Sequence, residues 1–329
     1  MRRDRFGFQG LSTRGYFEGW YFKNVAPAPA ESGTAEAYSF IPGIAYDKAG
    51  NGHAFVQTIR GADGATAYTR YSVEDFRPEP EGFGVQVGPN YFSFGGIEIS
   101  LPEAFDGISG SLRYGEPSRI PATPLRPGIM GWYRYVPGME CYHGLGSMDH
   151  VIGGSLKLGS RKLSFTGGRG YLEKDWGTSM PSSWIWMQTN SFARPGTSFM
   201  LSLARVPWMG RSFPGFLGFV NTPELRSPLQ FGTYSGAKVR DLHVADHHVS
   251  LTVTMGSLRL EVEGTRSHTG SLQAPVAGGM DRRISESLDG RIQLRLYRAA
   301  ADGSVRHVLF SGTGSSAGIE VVGDTAELA

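Results

Sequence analysis

Along this chain apolar and polar residues alternate mostly with a period of two. The stretch SLRLEVEG places Leu258, Leu260 and Val262 on one side and Arg259, Glu261 and Glu263 on the other. RIQLRLY repeats the pattern with Ile292, Leu294 and Leu296, and HAFVQTIR and YSFIPGIA are similar. A period of two is the mark of a strand with one buried face. Turn signals punctuate these runs: DKAGNG at 47–52, Asp63-Gly64, Asp289-Gly290 and Asp302-Gly303. No long stretch has a period of 3.6. The pattern predicts an all-β chain of short strands, as in barrels or sandwiches.

A weak repeat suggests two such bodies. GYFEGWYFK is followed by SFIPGIA and HAFVQTIR; SSWIWMQTN is followed by SLARVPW and GFLGFV. Trp20 to Pro42 and Trp184 to Pro207 span nearly equal separations. The expected division is 1–168 and 169–329. The proline-rich stretch 117–138 reads as irregular, a lid or strap across one barrel.

At 329 residues the chain is long enough for one large or two medium domains. A formal net charge of +2 argues against nucleic acid as a partner, because phosphate binding needs concentrated basic surface. The single cysteine, Cys141, excludes an internal disulfide. MRRDRFGFQG lacks the apolar stretch of a secretory signal, and no apolar run is long enough to span a bilayer. A cytoplasmic protein is expected, without membrane spans but able to sit at a membrane surface.

Several motifs fall away on spacing. Gly314-Ser315-Ser316-Ala317-Gly318 resembles a nucleophile elbow, but no histidine follows it. His243, His247 and His248 fit a hairpin turn better than a metal site. No metal is expected.

The stretch GYLEKDWGTSMPSSWIWMQTN at 170–190 concentrates the candidate chemistry. Strand geometry puts Trp184, Trp186, Gln188 and Asn190 on one face, where they make either a pocket wall or an aromatic sheet core. Tyr171, Glu173 and Asp175 share a face, with Lys174 pointing the other way. In GYFEGWYFK, Tyr16, Glu18, Trp20 and Phe22 share a face. MECYHGLGSMDH adds Glu140, His143, Asp149 and His150. For each carboxylate, a structural ion pair with Arg14, Lys23 or Arg169 is the competing reading.

Four blocks carry a family resemblance: GYFEGWYFK at 15–23, MECYHGLGSMDH at 139–150, GGRGYLEKDWGTSMPSSWIWMQTN at 167–190 and APVAGGMDRRISES at 274–287. In order and composition the chain resembles the tocopherol cyclase family. The resemblance implies two lipocalin-like antiparallel β-barrel domains packed together, similar in broad build to carotenoid hydratases and lipocalin-like cyclases. It implies closure of an oxygen heterocycle on a prenylated quinol or related isoprenoid, without a cofactor.

That reaction needs a carboxylic acid kept protonated by burial, a dry chamber and a folded substrate. Asp175 is the expected proton donor, then Glu173 and Glu18; His143 or His150 accepts the phenol proton or orients the acid. Trp20, Trp176, Trp184, Trp186, Gln188, Asn190, Tyr142 and Met139 are the expected substrate wall, with Met187 and Cys141 as soft filling. The partner is a hydrophobic small molecule, with transient membrane-surface contact. Carriage without chemistry, hydration of a polyene and a pericyclic role are the alternatives.

Overall fold

Alternation of the kind seen in SLRLEVEG becomes strand almost throughout the computed structural model. It describes all residues except 1–5, 30–32, 34, 209–210 and 301–302, and the side chain of Trp208. The basic start 1–5 and Asp302 of the expected turn therefore lie outside the described residues. Among the described residues the helical turns are short 3₁₀ segments, and no helix is long and apolar enough to cross a membrane.

The described residues form two antiparallel sheets, of 12 and 11 strands. In the first, strand Tyr16–Val25 starts a meander through Ala37–Tyr46, Gly52–Arg60 and Thr66–Tyr71. Its other edge pairs with Gly168–Gly177, which returns from far along the chain. Cys141–Leu158 lies beyond that. The second sheet repeats the plan. Trp184–Thr189 starts a meander through Ser198–Trp208 and Arg211–Asn221. Its other edge pairs with the late strand Val305–Val322. The repeat visible in the sequence is thus a repeat of topology.

Each sheet curls around its own core. Val56 near one end of the first sheet and Phe76, Val85 and Phe92 near the other belong to one buried cluster. In the second, Val220 and Phe231 share a cluster with Val249, Leu251 and Val253 from the opposite end. One core bounded by both ends of a sheet means a wrapped, lipocalin-like barrel.

The compact units differ from the expected cut at 168/169. Unit 1 holds residues 1–119, 139–180 and 270–284; unit 2 holds 120–138, 181–269 and 285–329. Gly168–Gly177 stays with unit 1 because it pairs with Tyr16–Val25 over nine residue pairs. The 270–284 segment stays there because Gln57 exchanges two hydrogen bonds with the Gln273 backbone, at 2.9 and 2.7 Å. Asp289-Gly290 is not a turn: it lies inside strand Gly279–Ala299, where the register shifts at a bulge. The 245–248 hairpin turn is as expected, with Ala245 opposite His248.

Candidate functional site

Register decides which side chains meet. Across the Gly168–Gly177 strand, Asp175 lies opposite Gly19 and His143, and Glu173 opposite Tyr21 and Leu145. His143, Tyr171, Glu173 and Asp175 therefore share one face of unit 1. The other face carries Leu172, Lys174 and Trp176 with Phe22, Trp20 and Glu18, and it looks into the barrel core.

On the first face His143 is clamped between two acids. Its Nδ1 is 2.9 Å from Asp175 Oδ1 and its Nε2 3.4 Å from Glu173 Oε2. Tyr171 donates to Glu173 Oε2 at 2.5 Å. Burial alone lowers the His143 pKa, but Asp175 and Glu173 outweigh it and raise the imidazole to about 9. It is an imidazolium at neutral pH. Burial and the Glu173 charge hold Tyr171 well above its usual range, so it stays a neutral donor. The side chains of Glu173 and His143 are 6% and 12% exposed, and that of Asp175 23%, which makes Asp175 the open end of the triad.

Beside Asp175 the face turns apolar. Cys141 Sγ lies 3.9 Å from Asp175 Oδ1 and 3.8 Å from Met180 Sδ. Burial, then the Asp175 charge, pushes the Cys141 thiol well up, so it is inert filling here. Both belong to a panel with Phe17, Phe55, Tyr68 and Met280.

The donor atoms of His143, Glu173 and Asp175 lie within 4.8 Å of one another, a spacing that could receive a cation. Each ring nitrogen, however, is directed at a carboxylate. The protonated imidazole already supplies the positive charge a metal would bring.

Glu18 departs from its expected role. It lies on the core face, fully buried, and pairs with the equally buried Lys174 at 2.5 Å. It also accepts from the Gln9 and Gly10 backbone N–H groups and from Tyr16 OH. With so many donors on its two oxygens, Glu18 is fully engaged in structural hydrogen bonds. Lys174 Nζ donates to Gly7 O and sits 5.1 Å from the Trp20 ring and 4.6 Å from the Trp176 ring. Trp20 and Trp176 thus enclose an ammonium on the face opposite the triad, and Tyr142 stacks on Trp176 at 5.5 Å. Neither Arg14 nor Lys23 is the partner of Glu18.

His150 also lies apart. Its Nδ1 is 2.9 Å from Ser147 Oγ, and its ring is 4.5 Å from Tyr114. Burial lowers its pKa to about 4, so it is neutral. Asp149 pairs with Arg169, as the ion-pair reading allowed. Met139 is half-buried just before Cys141–Leu158.

Unit 2 holds the remaining candidates. Trp184, Trp186 and Gln188 share a buried face, while Ile185 and Met187 enter the core. Met187 is therefore core and not soft filling at a site. Asn190 follows, also buried. Trp184 Nε1 donates to Glu320 Oε2 at 2.5 Å, and the buried Glu286 lies opposite Glu320. Sequence reasoning missed Tyr171 as a hydrogen-bond donor to Glu173 and missed both glutamates. Glu286 sits between Ser285 and Ser287 in strand Gly279–Ala299, so alternation along APVAGGMDRRISES could have set it on the face opposite the two serines.

A family model described as tocopherol cyclase-like matches residues 115–211, which include His143, Glu173 and Asp175. The chain is similar to tocopherol cyclases. It is 24% identical over 205 residues to the chloroplastic tocopherol cyclase of Zea mays, covering 59% of this chain and 41% of that one. It is 22% identical over 208 residues to the probable tocopherol cyclase of Oryza sativa subsp. japonica, covering 61% and 43%. The matched region thus spans about two fifths of these relatives. Among solved structures, a putative AttH from Nitrosomonas europaea has a TM-score of 0.55 at 12% identity, covering 93% of this chain and 92% of the other. Kievitone hydratase from Nectria haematococca has a TM-score of 0.50 at 13% identity, covering 93% and 89%. These likenesses bear on the fold.

Proposed function

We propose that this tocopherol cyclase-like chain protonates an alkene of a prenylated quinol or related isoprenoid and closes an oxygen heterocycle. The observation that carries the reading is the His143 imidazolium held between Glu173 and Asp175, with an apolar panel beside Asp175. The triad stores a proton at neutral pH. An apolar substrate against Asp175 removes water from its open side. A dry ion pair is less stable than its neutral form, so the proton crosses from His143 Nδ1 to Asp175 Oδ1.

Asp175 then gives that proton to the less substituted alkene carbon, leaving a tertiary cation. The phenol oxygen bonds to the cation. Its proton returns to Asp175 and on to His143, so substrate and product are isomers and the triad is restored. Tyr171 holds Glu173 in place as the second carboxylate of the clamp. Phe17, Phe55 and Met180 keep the neighbourhood dry. Trp184, Trp186, Gln188 and Asn190 are proposed as an apolar-ligand wall of unit 2. A cytoplasmic, membrane-peripheral location belongs to the same reading.

The test is incubation of pure protein with a prenylated quinol and analysis of the product. A ring-closed isomer of one handedness is expected. A product heavier by one water would mean hydration, and tight binding without turnover would mean carriage. Either result would overturn ring closure as the activity.

A further inference from the structure

Three of the eight large apolar side chains exposed among the described residues fall within eleven positions of unit 2: Leu125 at 82%, Trp132 at 48% and Tyr135 at 55%. They belong to the irregular segment 120–138. That segment holds Arg126 and Arg134 and no acidic residue.

The segment is fixed in place. Thr123 and Arg126 exchange backbone hydrogen bonds at 2.9 and 3.0 Å, closing a tight turn whose tip is Pro124-Leu125. Tyr135 OH braces that tip by donating to Pro124 O at 2.8 Å. Ile129 and Met130 are buried, and Tyr234 OH donates to Ile129 O at 2.9 Å. Gly131, at φ 57°, lies against the Tyr234 ring, where a Cβ would come within 2.7 Å. Tyr133 meets the same ring edge-on and stacks on Trp132 at 4.2 Å. The inner side of the segment is anchored, and its outer side holds an apolar tip, an indole and a phenol toward solvent.

We propose that this strap is a docking surface for an anionic lipid bilayer. Exposing a leucine at the tip of a hydrogen-bonded turn is unfavourable in water and favourable in an acyl layer. Trp132 and Tyr135 have the mixed apolar and polar character that settles at headgroup depth. Arg126, exposed in a segment that holds no acidic residue, complements anionic headgroups. A second copy docking strap against strap would bring like charges together. The inference rests on unit 2 alone and does not depend on the carboxylate triad.

Sedimentation of the full chain with vesicles tests it. Wild type is expected to pellet with an equal mixture of phosphatidylcholine and phosphatidylglycerol, far less with phosphatidylcholine alone, and less at raised ionic strength. Arg126→Gln should lower partition about five-fold, and the double variant Leu125→Glu, Trp132→Ser should lower it to background. A blue shift of tryptophan emission on binding should vanish in Trp132→Phe. The proposal is overturned if wild type stays in the supernatant with the mixed vesicles, or if the double variant binds as well as wild type. It is equally overturned if Leu125→Glu abolishes a dimer while vesicles capture nothing, which would make a second copy the occupant. Arg126 is exposed, so Arg126→Gln carries the test alone if the double variant loses its fold.

Discussion

His143 and Asp175 stand directly opposite each other on neighbouring antiparallel strands, with Nδ1 2.9 Å from Oδ1. Glu173 closes the other side of the same ring. Removing either acid should change the imidazole before it changes the fold. In Asp175→Asn the His143 pKa is expected to fall from about 9, and turnover to drop about 10²- to 10⁴-fold, the usual worth of a positioned proton donor. Imidazole titration by NMR and the rate of product formation check both. An unchanged rate removes Asp175 from the role.

The same ring sets a pH limit. The folded pKa of His143 is raised, so its contribution to stability is complete below the unfolded value near 6.5. It is lost as pH rises through about 9. Activity should fall over that same rise. A rate profile and melting curves between neutral and strongly alkaline pH measure the two effects, and a rate that keeps climbing past 9 contradicts the protonated ring.

His150 works in the opposite direction. Its folded pKa is depressed to about 4, so the unfolded chain binds the extra proton first. Stability should be lost as pH falls from 6.5 toward 4, by roughly 3 kcal/mol at the limit from this residue. His150→Gln should flatten that part of the curve of stability against pH. Gly170→Ala should destabilise the native state by about 1–3 kcal/mol, because a Cβ there would lie 2.2 Å from His150 Nε2. Urea melts measure both.

Much of this was legible in the sequence, and the limit has a physical cause. Alternation within one strand correctly grouped Tyr16, Glu18, Trp20 and Phe22, and separately Tyr171, Glu173 and Asp175. It also turned Lys174 away from the two acids. It could not say that the two groups occupy opposite faces, because pairing Gly19 with Asp175 is a register between strands some 150 residues apart, and a slip of one residue reverses it. The burial of Glu18 against Lys174 follows from that register. The exchange of 120–138 and 270–284 between units likewise depends on distant partners such as Gln57 with Gln273. At Asp289-Gly290 the local signal was real, but a bulge and a turn use the same residues.

The Glu18–Lys174 pair is structural in this account. Lys174→Met should cost about 3–5 kcal/mol by leaving a buried carboxylate unpaired. The double variant Glu18→Gln, Lys174→Met should recover part of that loss and keep turnover. Denaturant melts and product assays measure both. A folded double variant without activity would assign the pair a catalytic part.

The most direct test of the triad as proton source is turnover of a prenylated quinol in D₂O. The triad exchanges with solvent, so one deuterium should appear on the carbon next to the new C–O bond, in wild type and not above background in Asp175→Asn. A ring-closed product without deuterium, or equal labelling and rate in Asp175→Asn, would contradict it.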